Sequence, residues 1–427
     1  MPDGHDAYAA LRSPGYRRLL TANVLGACGS GMQFLAIEWE VYQRTGSKQA
    51  LGFVGLAQFL PVLLLSIPIG HLADRVSRKW LYVYAQAMLA VGAAGLFALS
   101  YLEGPVAWVY PILTFIGIGR AFSAPSRWGL LAEIVPIESL GNAVTWNSSG
   151  WQVSTVVGPA LGGWVIAQSK HAFAVYAVGA AFYLTGTALV STLRPRPFEK
   201  NADEPHSLDN ILAGLRFVWN TPLILATITL DLFAVLLGGA TVLLPVYAKD
   251  ILQVGATELG WLRAAPSIGA LVMALYLAHR PPLRRAGPTL LLSVAGFGAA
   301  TIGFGLSRNL ELSFVMLALT GAFDNVSIVV RGTLVQLLTP DAMRGRVSAV
   351  NTIFIVSSNE LGAFESGMTA HWFGTVASVV GGGIGTLLVV VWVMTKWPQV
   401  MRLGPLNNPT GDLYTEVAEE EIVEERT

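Results

Sequence analysis

The chain has 427 residues, of which 53% are hydrophobic and only 13% are charged, and 27 basic side chains balance 27 acidic ones. The charged share is about half that of a typical soluble protein, which argues against a soluble globular domain. Because the sequence contains one cysteine, no disulfide can form within the chain.

Apolar stretches of about 20 residues, the length that crosses a bilayer as a helix, recur along the chain. We predict spans at 19–43, 50–71, 80–102, 107–126, 141–167, 173–193, 222–245, 257–279, 288–306, 310–331, 343–370 and 375–396. They divide into an N-terminal bundle at 1–193 and a C-terminal bundle at 222–397, joined by a linker at 194–221 and followed by an acidic tail at 398–427. The predicted fold class is an all-α membrane protein with twelve transmembrane helices in two pseudo-symmetric six-helix bundles.

The distribution of positive charges predicts which side of the membrane each connection occupies. The clusters assigned to the cytoplasm are Arg12 with Arg17 and Arg18, Arg75 with Arg78 and Lys79, the run from Arg194 to Lys200, the run from Arg280 to Arg285, and Arg344 with Arg346. This assignment places both termini in the cytoplasm and the chain in a bacterial inner membrane. No cleavable signal peptide is predicted, because the first apolar stretch is long enough to be a span.

The linker contains an apolar face at helical spacing after Ser207, a residue suited to capping a helix. Its members are Leu208, Ile211, Leu212, Leu215 and Trp219. One interpretation is an amphipathic helix on the inner membrane surface that steers the two bundles, and the other, which we favour, is a tether with an amphipathic piece. For the acidic tail we favour a disordered end over a regulatory segment.

The second six spans repeat the first six at an offset of 204 to 208 residues. Arg127 is followed by Pro136 at the same spacing at which Arg331 is followed by Pro340. Duplicated membrane halves are typical of transporters, because two related halves can rock about a site near the middle of the bilayer. The repeat therefore predicts a transporter.

The run GHLADRVSRK at 70–79 joins spans two and three. It resembles the loop signature of the major facilitator superfamily, which has a glycine, an aspartate-arginine pair and a closing basic pair. The runs at 120–125, 130–136 and 359–367 resemble a branch of that superfamily that contains the bacterial enterobactin exporter and related efflux proteins. The resemblance covers nearly the whole chain and implies a transporter that opens to either side of the membrane in turn.

The loop resemblance implies a latch that closes the cytoplasmic side. The candidate residues are Gly70, Asp74, Arg75, Arg78, Arg344 and Arg346. Asp74 is expected near the positively polarised N-terminus of span eleven, beside the two arginines of that span. The alternative is that the basic residues of the loop only hold it in the cytoplasm.

Span five contains a run of small residues that resembles a motif associated with antiporters in this superfamily. Its members are Gly158, Pro159, Gly162 and Gly163. Small residues let neighbouring helices approach, and proline bends a helix at a fixed point. The resemblance implies export, whereas the alternative is close packing with no bearing on direction.

Arg120 in span four and Asp324 in span ten occupy equivalent positions of the repeat with opposite charge. Ionisable groups at membrane depth are costly, and each is therefore a functional candidate. We expect Arg120 and Asp324 to pair across the two halves and to help close the inner side, with a separate local partner for each as the alternative. Asp324 is also a candidate proton carrier.

Three further acids lie within predicted spans. Asp231 in span seven has a depth comparable with Arg120 and is expected to compete for it or to bind a cationic substrate; it is also a candidate proton carrier. Glu360 and Glu365 lie in span eleven, about 140° apart around the helix, so both cannot face the same neighbour.

The depth of Glu365 matches that of Arg263 in span eight, which predicts a structural ion pair. Glu360 is then, with the acids of spans seven and ten, a candidate for the group that takes up and releases a proton. Glu38 and Glu40, near the outer end of span one, are interpreted as solvated charges at the rim.

The sequence contains no H-E-x-x-H, no G-x-S-x-G and no glycine-rich nucleotide loop, so we expect neither an enzyme nor a metal or cofactor site. The predicted function is proton-coupled export of an amphipathic small molecule of the siderophore, drug or lysolipid class by a monomer in a lipid bilayer. The alternatives are a proton-coupled importer and a non-transporting receptor or scaffold. No nucleic-acid partner is expected.

Overall fold

A computed structural model describes residues 6–73, 76–196, 208–281 and 283–405. Within these ranges the regular structure is helical, with no strand. The helices are α1 (Pro14–Thr45), α2 (Lys48–Ala73), α3 (Arg78–Tyr101), α4 (Val109–Ile134), α5 (Leu140–Ser169), α6 (Phe173–Ser191), α7 (Leu208–Asn220), α8 (Pro222–Leu237), α9 (Leu244–Val246), α10 (Ala256–Ala278), α11 (Ala286–Leu306), α12 (Leu310–Leu338), α13 (Arg344–Phe373) and α14 (Thr375–Lys396). The acidic tail from 406 onward lies outside the described residues.

Ten helical segments of the described chain are long and apolar enough to cross a membrane. Two further helices, α5 and α13, have 30 residues each but a more polar composition, rich in glycine, serine, threonine and asparagine. Such small and polar residues are typical of faces that pack against other helices. The described helices fit the predicted all-α plan of twelve transmembrane helices.

Several helices begin at equivalent residues in the two halves. Pro14 and Pro222 stand in the first turn of α1 and α8, where the missing N–H of proline is no loss. Pro136 and Pro340 each precede a single 3₁₀ turn and then α5 or α13, two helices of equal length. Prolines at repeated positions therefore mark the same helix starts in both halves.

Equivalent glycines bring equivalent helices together inside each half. A Cβ built on Gly158 of α5 would lie 2.8 Å from the carbonyl oxygen of Cys28 and 3.4 Å from the Cα of Gly31 in α1. A Cβ built on Gly239, just after α8, would lie 2.8 Å from the carbonyl carbon of Gly362 in α13. Side chains at these positions would force the helices apart, which is why both halves keep glycine at the crossing.

The chain forms two compact units, which we call unit 1 (Met1–Ser207 and Leu243–Ala264) and unit 2 (Leu208–Val242 and Ala265–Thr427). The segment Leu243–Ala264 belongs to the second half of the sequence but packs within unit 1. The division of the chain at the linker stays a prediction.

Span seven is interrupted, and its prediction as one helix at 222–245 is wrong in this detail. Helix α8 ends at Leu237, and Gly238 and Gly239 lead into a 3₁₀ turn, the short helix α9 and a π-helical turn at Tyr247–Ile251. The close approach of Gly239 to α13 and the loss of side chains at two successive positions favour the break. π-Helical turns of this kind are frequent at functional sites.

The predicted linker helix is present as α7. Leu212, Leu215 and Trp219 on its apolar face are exposed, whereas Val218 is buried in a cluster with residues of α8, α12 and α13. One side of α7 is thus fixed to unit 2, and the described part of the apolar face, Leu212, Leu215 and Trp219, is exposed. Whether that face lies on the membrane stays a prediction.

Candidate functional site

The residues of the predicted cytoplasmic latch are described in part. Asp74 and Arg75 lie outside the described residues, and Gly70 lies in the last turn of α2. The guanidinium of Arg78 lies 3.5 Å from the carboxylate of Glu133 at the end of α4. This pair connects the loop to the run at 130–136, and the latch itself stays a prediction.

The two arginines at the start of α13 have local contacts. Arg344 forms an ion pair of 2.8 Å with Asp341, one turn earlier, and both side chains are exposed. Arg346 lies 3.7 Å from the sulfur of Met343. These weak local contacts leave the N-terminal end of α13 available for an acidic partner.

The glycines of span five pack against backbone, as predicted. A Cβ on Gly158 would lie 2.8 Å from the carbonyl oxygen of Cys28, and one on Gly162 would lie 3.0 Å from the Cα of Met32. A Cβ on Gly163 would lie 3.0 Å from the Cα of Gly260 in α10. Helix α5 therefore packs closely on both α1 and the start of α10.

Pro159 takes part in the same contact. Its ring lies beside Gly31, where a Cβ would come within 3.1 Å of the proline Cδ, and its carbonyl oxygen faces Gly260. The expectation of close packing is confirmed by these contacts. The implication for the direction of transport remains an expectation.

Unit 1 contains an ion pair that joins the two halves of the sequence. Arg263 of α10 donates to the carboxylate of Glu38 in α1 at 2.7 Å, and Glu38 is only 2% exposed. The interpretation of Glu38 as a solvated rim charge is therefore wrong, because the segment Leu243–Ala264 covers this end of α1. Arg263 was expected to pair with Glu365, and the ion pair that the structure contains is with Glu38.

Further contacts accompany this ion pair. The hydroxyl of Tyr42 forms a short hydrogen bond with Asp250 in the π-helical turn. Lys249 lies 3.5 Å from the side-chain oxygen of Gln43 and over the ring of Tyr42. We call the set of Glu38, Tyr42, Asp250 and Arg263 the clasp.

The second predicted rim acid, Glu40, is also bonded. It pairs with Arg44 at 3.3 Å and accepts a hydrogen bond of 2.8 Å from Tyr176. Glu40 and Arg44 line an open pocket of about 780 Å³ in unit 1. Glu40 is thus a rim residue, as expected, but one with fixed partners.

Equivalent polar positions of the repeat carry different chemistry. In unit 1, Asn23 donates to Asn147 at 2.8 Å and accepts from the hydroxyl of Tyr82 at 2.7 Å. The equivalent of Asn23 in the second half is Asp231, which forms an ion pair with Arg331, and both side chains are buried. Asp231 therefore has a local partner, not Arg120 as one expectation had it.

The equivalent charges of spans four and ten differ in their surroundings. Arg120 donates a short hydrogen bond to the hydroxyl of Ser30 in α1. The repeat places Gly238 at the position of Ser30, so Asp324 has no hydroxyl at the corresponding site. Asp324 forms no hydrogen bond or ion pair with any residue that the structure describes. The expected pair of Arg120 with Asp324 stays a prediction.

Two adjoining cavities in unit 2 meet at Asp324. The larger has a volume of about 190 Å³ and is lined by Val235, Gly238, Gly239, Ala240, Thr241, Pro266, Phe297, Thr301, Phe304, Leu317, Thr320, Gly321, Asp324 and Asn359. The smaller, of about 10 Å³, lies between Asp231 and Asp324 and also contacts Ser293 and Ser327. It has the volume of one water molecule, with polar groups on several sides.

The two acids of α13 lie outside these cavity linings. Glu360 and Glu365 are half-buried, and Glu360 interacts with another group of the chain. The hydroxyl of Thr369 donates to the backbone carbonyl of Glu365 at 2.9 Å. The role of Glu360 as a proton carrier stays a prediction.

Helices in two related sets, interrupted at membrane depth and with ionisable groups inside, define the class of secondary transporters. The family model for transmembrane secretion effectors matches residues 5–413. The chain belongs to this family, a branch of the major facilitator superfamily, and the predicted resemblance is confirmed.

Two curated relatives and two solved structures show how far the similarity extends. The chain is 27% identical over 396 residues to the enterobactin exporter EntS of Shigella boydii serotype 18, which covers 91% of this chain and 93% of that protein. The EntS protein of Escherichia coli O1:K1 gives the same identity and coverage.

Among solved structures, a bacterial homologue of the human lysosomal transporter Spinster in an inward-facing, occupied conformation aligns with a TM-score of 0.72 at 15% identity, covering 92% of this chain and 97% of that one. The inward-open xylose transporter XylE from E. coli aligns with a TM-score of 0.66 at 14% identity, covering 90% and 96%. Identities this low establish the fold alone. The family and its curated relatives are membrane transporters, so the protein is a multi-pass membrane transporter and not an enzyme.

Proposed function

We propose that the protein is a proton-coupled exporter of an amphipathic small molecule in a bacterial inner membrane, working by alternating access. Support for export comes from the two EntS relatives, which are named as exporters of enterobactin. Further support comes from the close packing of the span-five motif, which resembles that of antiporters. The enterobactin-like, drug and lysolipid classes all remain within this proposal.

The observation that carries the proposal is the carboxyl group of Asp324 in a cavity at membrane depth. An ionised carboxylate without a partner is costly in a membrane interior, and uptake of a proton removes that cost. Because the cavity gives the carboxyl group access to a ligand, protonation and ligand binding can be linked at one residue. Asp324 is therefore the proposed proton carrier, with Glu360 as the second candidate.

Asp231 is less suited to this role. Its ion pair with Arg331 is buried, and removing one partner of such a pair costs about 3–5 kcal/mol. A proton that neutralised Asp231 would leave the Arg331 charge buried without compensation. We therefore assign the Asp231–Arg331 pair a structural role in unit 2.

The clasp supports an alternating mechanism. If both termini face the cytoplasm, the clasp lies towards the outer side and joins the two sequence halves there. Opening to the outside then requires the Glu38–Arg263 ion pair and the Tyr42–Asp250 hydrogen bond to break. The predicted cytoplasmic contacts, Asp74 with the start of α13 and Arg120 with Asp324, would replace them.

The proposal is tested with everted membrane vesicles, in which respiration acidifies the lumen. Enterobactin and an amphipathic fluorescent dye are offered from the outside, which corresponds to the cytoplasm. A proton antiporter is expected to accumulate a transported probe in the lumen, and an uncoupler should abolish the accumulation. Vesicles with the Asp324→Asn variant at equal expression serve as the matched comparison and should not accumulate the probe.

Other outcomes separate the alternatives. Loss of a preloaded probe from the acidic lumen, driven by the same gradient, would indicate an importer. Saturable binding without any gradient-dependent movement would indicate a receptor. Either result contradicts the proposed direction or activity.

A further inference from the structure

The larger cavity of unit 2 has a simple electrostatic character. Of the residues that line it, Asp324 is the one with a charged side chain. The hydroxyls of Thr301 and Thr320 donate to carbonyls of their own helices, at 2.9 and 2.7 Å. Their oxygens remain acceptors, and the amide of Asn359 donates to the carbonyl of Ile355 at 2.8 Å, so the charged part of the lining is the carboxylate alone.

The rest of the lining is apolar and partly aromatic. Phe297 and Phe304 contribute ring carbons, and Pro266 and Val235 contribute aliphatic ones. Phe297 also lies against Gly238, where the interruption of span seven opens the cavity wall. Aromatic rings and a carboxylate together favour an organic cation, because the ring faces and the carboxylate both carry negative potential.

The carboxylate of Asp324 is available to bind a cation, because the neighbouring charges of unit 2 neutralise one another. The other carboxylate lining the two cavities, that of Asp231, is neutralised by Arg331. Charged groups around Asp324 are thus Asp231 on α8 and Arg331 on α12, whereas α10, α11 and α13 contribute uncharged side chains to the lining. Glu360 follows the lining residue Asn359 on α13 but does not line either cavity.

The repeat places opposite charges at the equivalent positions of Arg120 and Asp324. In unit 1 the equivalent charge, Arg120, is positive and bonded to Ser30. In unit 2 the charge is negative, and Gly238 replaces the serine. In unit 2 the charge is inverted and the hydroxyl that binds Arg120 is absent. Asp324 therefore lacks the hydrogen bond that its counterpart has.

We propose that this cavity binds the cationic group of the transported molecule, so that the substrate is an amphipathic organic cation. The inference rests on the proposed function and names its substrate class. The volume of about 190 Å³ is below the range of about 300–1,000 Å³ usual for whole drug-sized ligands. The cavity therefore holds the cationic head and its nearest carbons, and the apolar remainder extends beyond it.

Proton and substrate then exclude one another at Asp324. The ionised carboxylate attracts the cation, and the protonated group does not. Because Asp231 remains paired with Arg331, one group governs this competition. Affinity for a permanent cation should fall as the pH falls, by at most tenfold per pH unit for one displaced proton.

The test is equilibrium binding to the purified full-length protein in detergent. The probe is benzyltrimethylammonium, which carries a permanent charge beside an aromatic ring. Its neutral isostere neopentylbenzene has a carbon in place of the nitrogen, and phenylacetate supplies the opposite charge. Wild type is expected to bind the cation saturably, and each of the other two probes at least tenfold more weakly.

Two variants assign the binding to the cavity. Asp324→Asn is expected to lower the affinity for the cation at least tenfold, whereas Glu311→Gln, a matched change of an exposed acid at the start of the same helix, should leave it unchanged. If Asp324→Asn does not fold, Phe297→Leu should lower the affinity several-fold, and the pH dependence of the wild type tests the carboxylate directly.

The inference is overturned by equal affinity of wild type and Asp324→Asn for the cation, by equal binding of the cation and its isostere, or by binding independent of pH. These results are distinct from failure of the proposed function. Asp324-dependent binding without accumulation in everted vesicles counts against transport alone. Accumulation of a probe without Asp324-dependent cation binding counts against the inference alone.

Discussion

At the residue scale, the buried side chains of Asp231 and Arg331 in unit 2 are paired, whereas the half-buried Asp324 faces a cavity. Asp231 and Arg331 have side chains that are 9% and 4% exposed and lie in direct contact. Asp324, on the same helix as Arg331, has neither a hydrogen bond nor an ion pair within the described residues. We assign the ion pair a structural role, and we propose that the carboxyl group of Asp324 binds a proton or a ligand.

The paired charges should be sensitive to loss of one partner. Asp231→Asn is expected to lower the free energy of unfolding by about 3–5 kcal/mol, because Arg331 is then buried without a counter-charge. The measurement is thermal or denaturant unfolding in detergent. Asp341→Asn, which removes the partner of Arg344 from a pair whose side chains are 55% and 87% exposed, is the matched control.

The control should change stability by less than about 1 kcal/mol, as is usual for exposed ion pairs. Equal effects of Asp231→Asn and Asp341→Asn would show that the buried pair does not stabilise unit 2.

The partners of charged side chains were the feature that the sequence alone predicted least well. The sequence identified Asp324, Asp231 and Arg263 as charges at membrane depth, but partners depend on which helices adjoin. Arg331 was visible only as a repeat marker, although aligning Asn23 with Asp231 would have shown that a polar position had become charged. Glu38 was misjudged because nothing in the sequence showed that another segment covers it.

At the element scale, glycine sets the closest helix contacts. Helix α5 crosses α1 at Gly158 and Gly162, and it meets α10 at Gly163. The sequence predicted this packing, because small residues recur at helical spacing and match the second half. The interruption of span seven at Gly238 was not predicted, since isolated glycines are common in membrane helices and do not by themselves break them.

Substitution of a packed glycine should separate the helices. Gly158→Ala is expected to lower the melting temperature, because the new Cβ would lie 2.8 Å from the carbonyl oxygen of Cys28 and backbone must move. Gly141→Ala, on the same helix with no atom within 4 Å of the new Cβ, is the control and should leave the melting temperature unchanged or slightly higher. A melting temperature of Gly158→Ala equal to that of the control would contradict close packing at this crossing.

At the scale of the whole molecule, the repeat supports the proposed alternating mechanism. The residues that differ between the two halves carry the proposed proton chemistry. The two halves share most helix boundaries, two helix-starting prolines and their crossing glycines, and the sequence predicted the twelve-helix plan and the family. They differ at Ser30 and Gly238 and at Arg120 and Asp324, where one half is satisfied and the other is open. The proposed proton-driven cycle uses this difference, because Asp324 in unit 2 is a cavity-lining acid where unit 1 has a bonded arginine.

The clasp should control the balance between outward-closed and outward-open states. Spin labels on cysteines introduced at the exposed residues Leu102 of unit 1 and Leu306 of unit 2, in a Cys28→Ser background, report on the proposed outward opening. Arg263→Gln is expected to shift the distance distribution to longer values, since Glu38 then lacks its ion pair. Arg280→Gln, an exposed arginine at the other end of α10, should leave the distribution unchanged; an identical response of both variants would contradict the role of the clasp.

The most direct measurement records luminal pH in acid-loaded everted vesicles while a transported probe is added outside. The account predicts that the probe dissipates the pH gradient in vesicles with the wild type and leaves it intact in vesicles with Asp324→Asn, because that carboxyl group is the proposed proton carrier. Probe accumulation with no proton release from wild type, or equal proton release from both proteins, would contradict it.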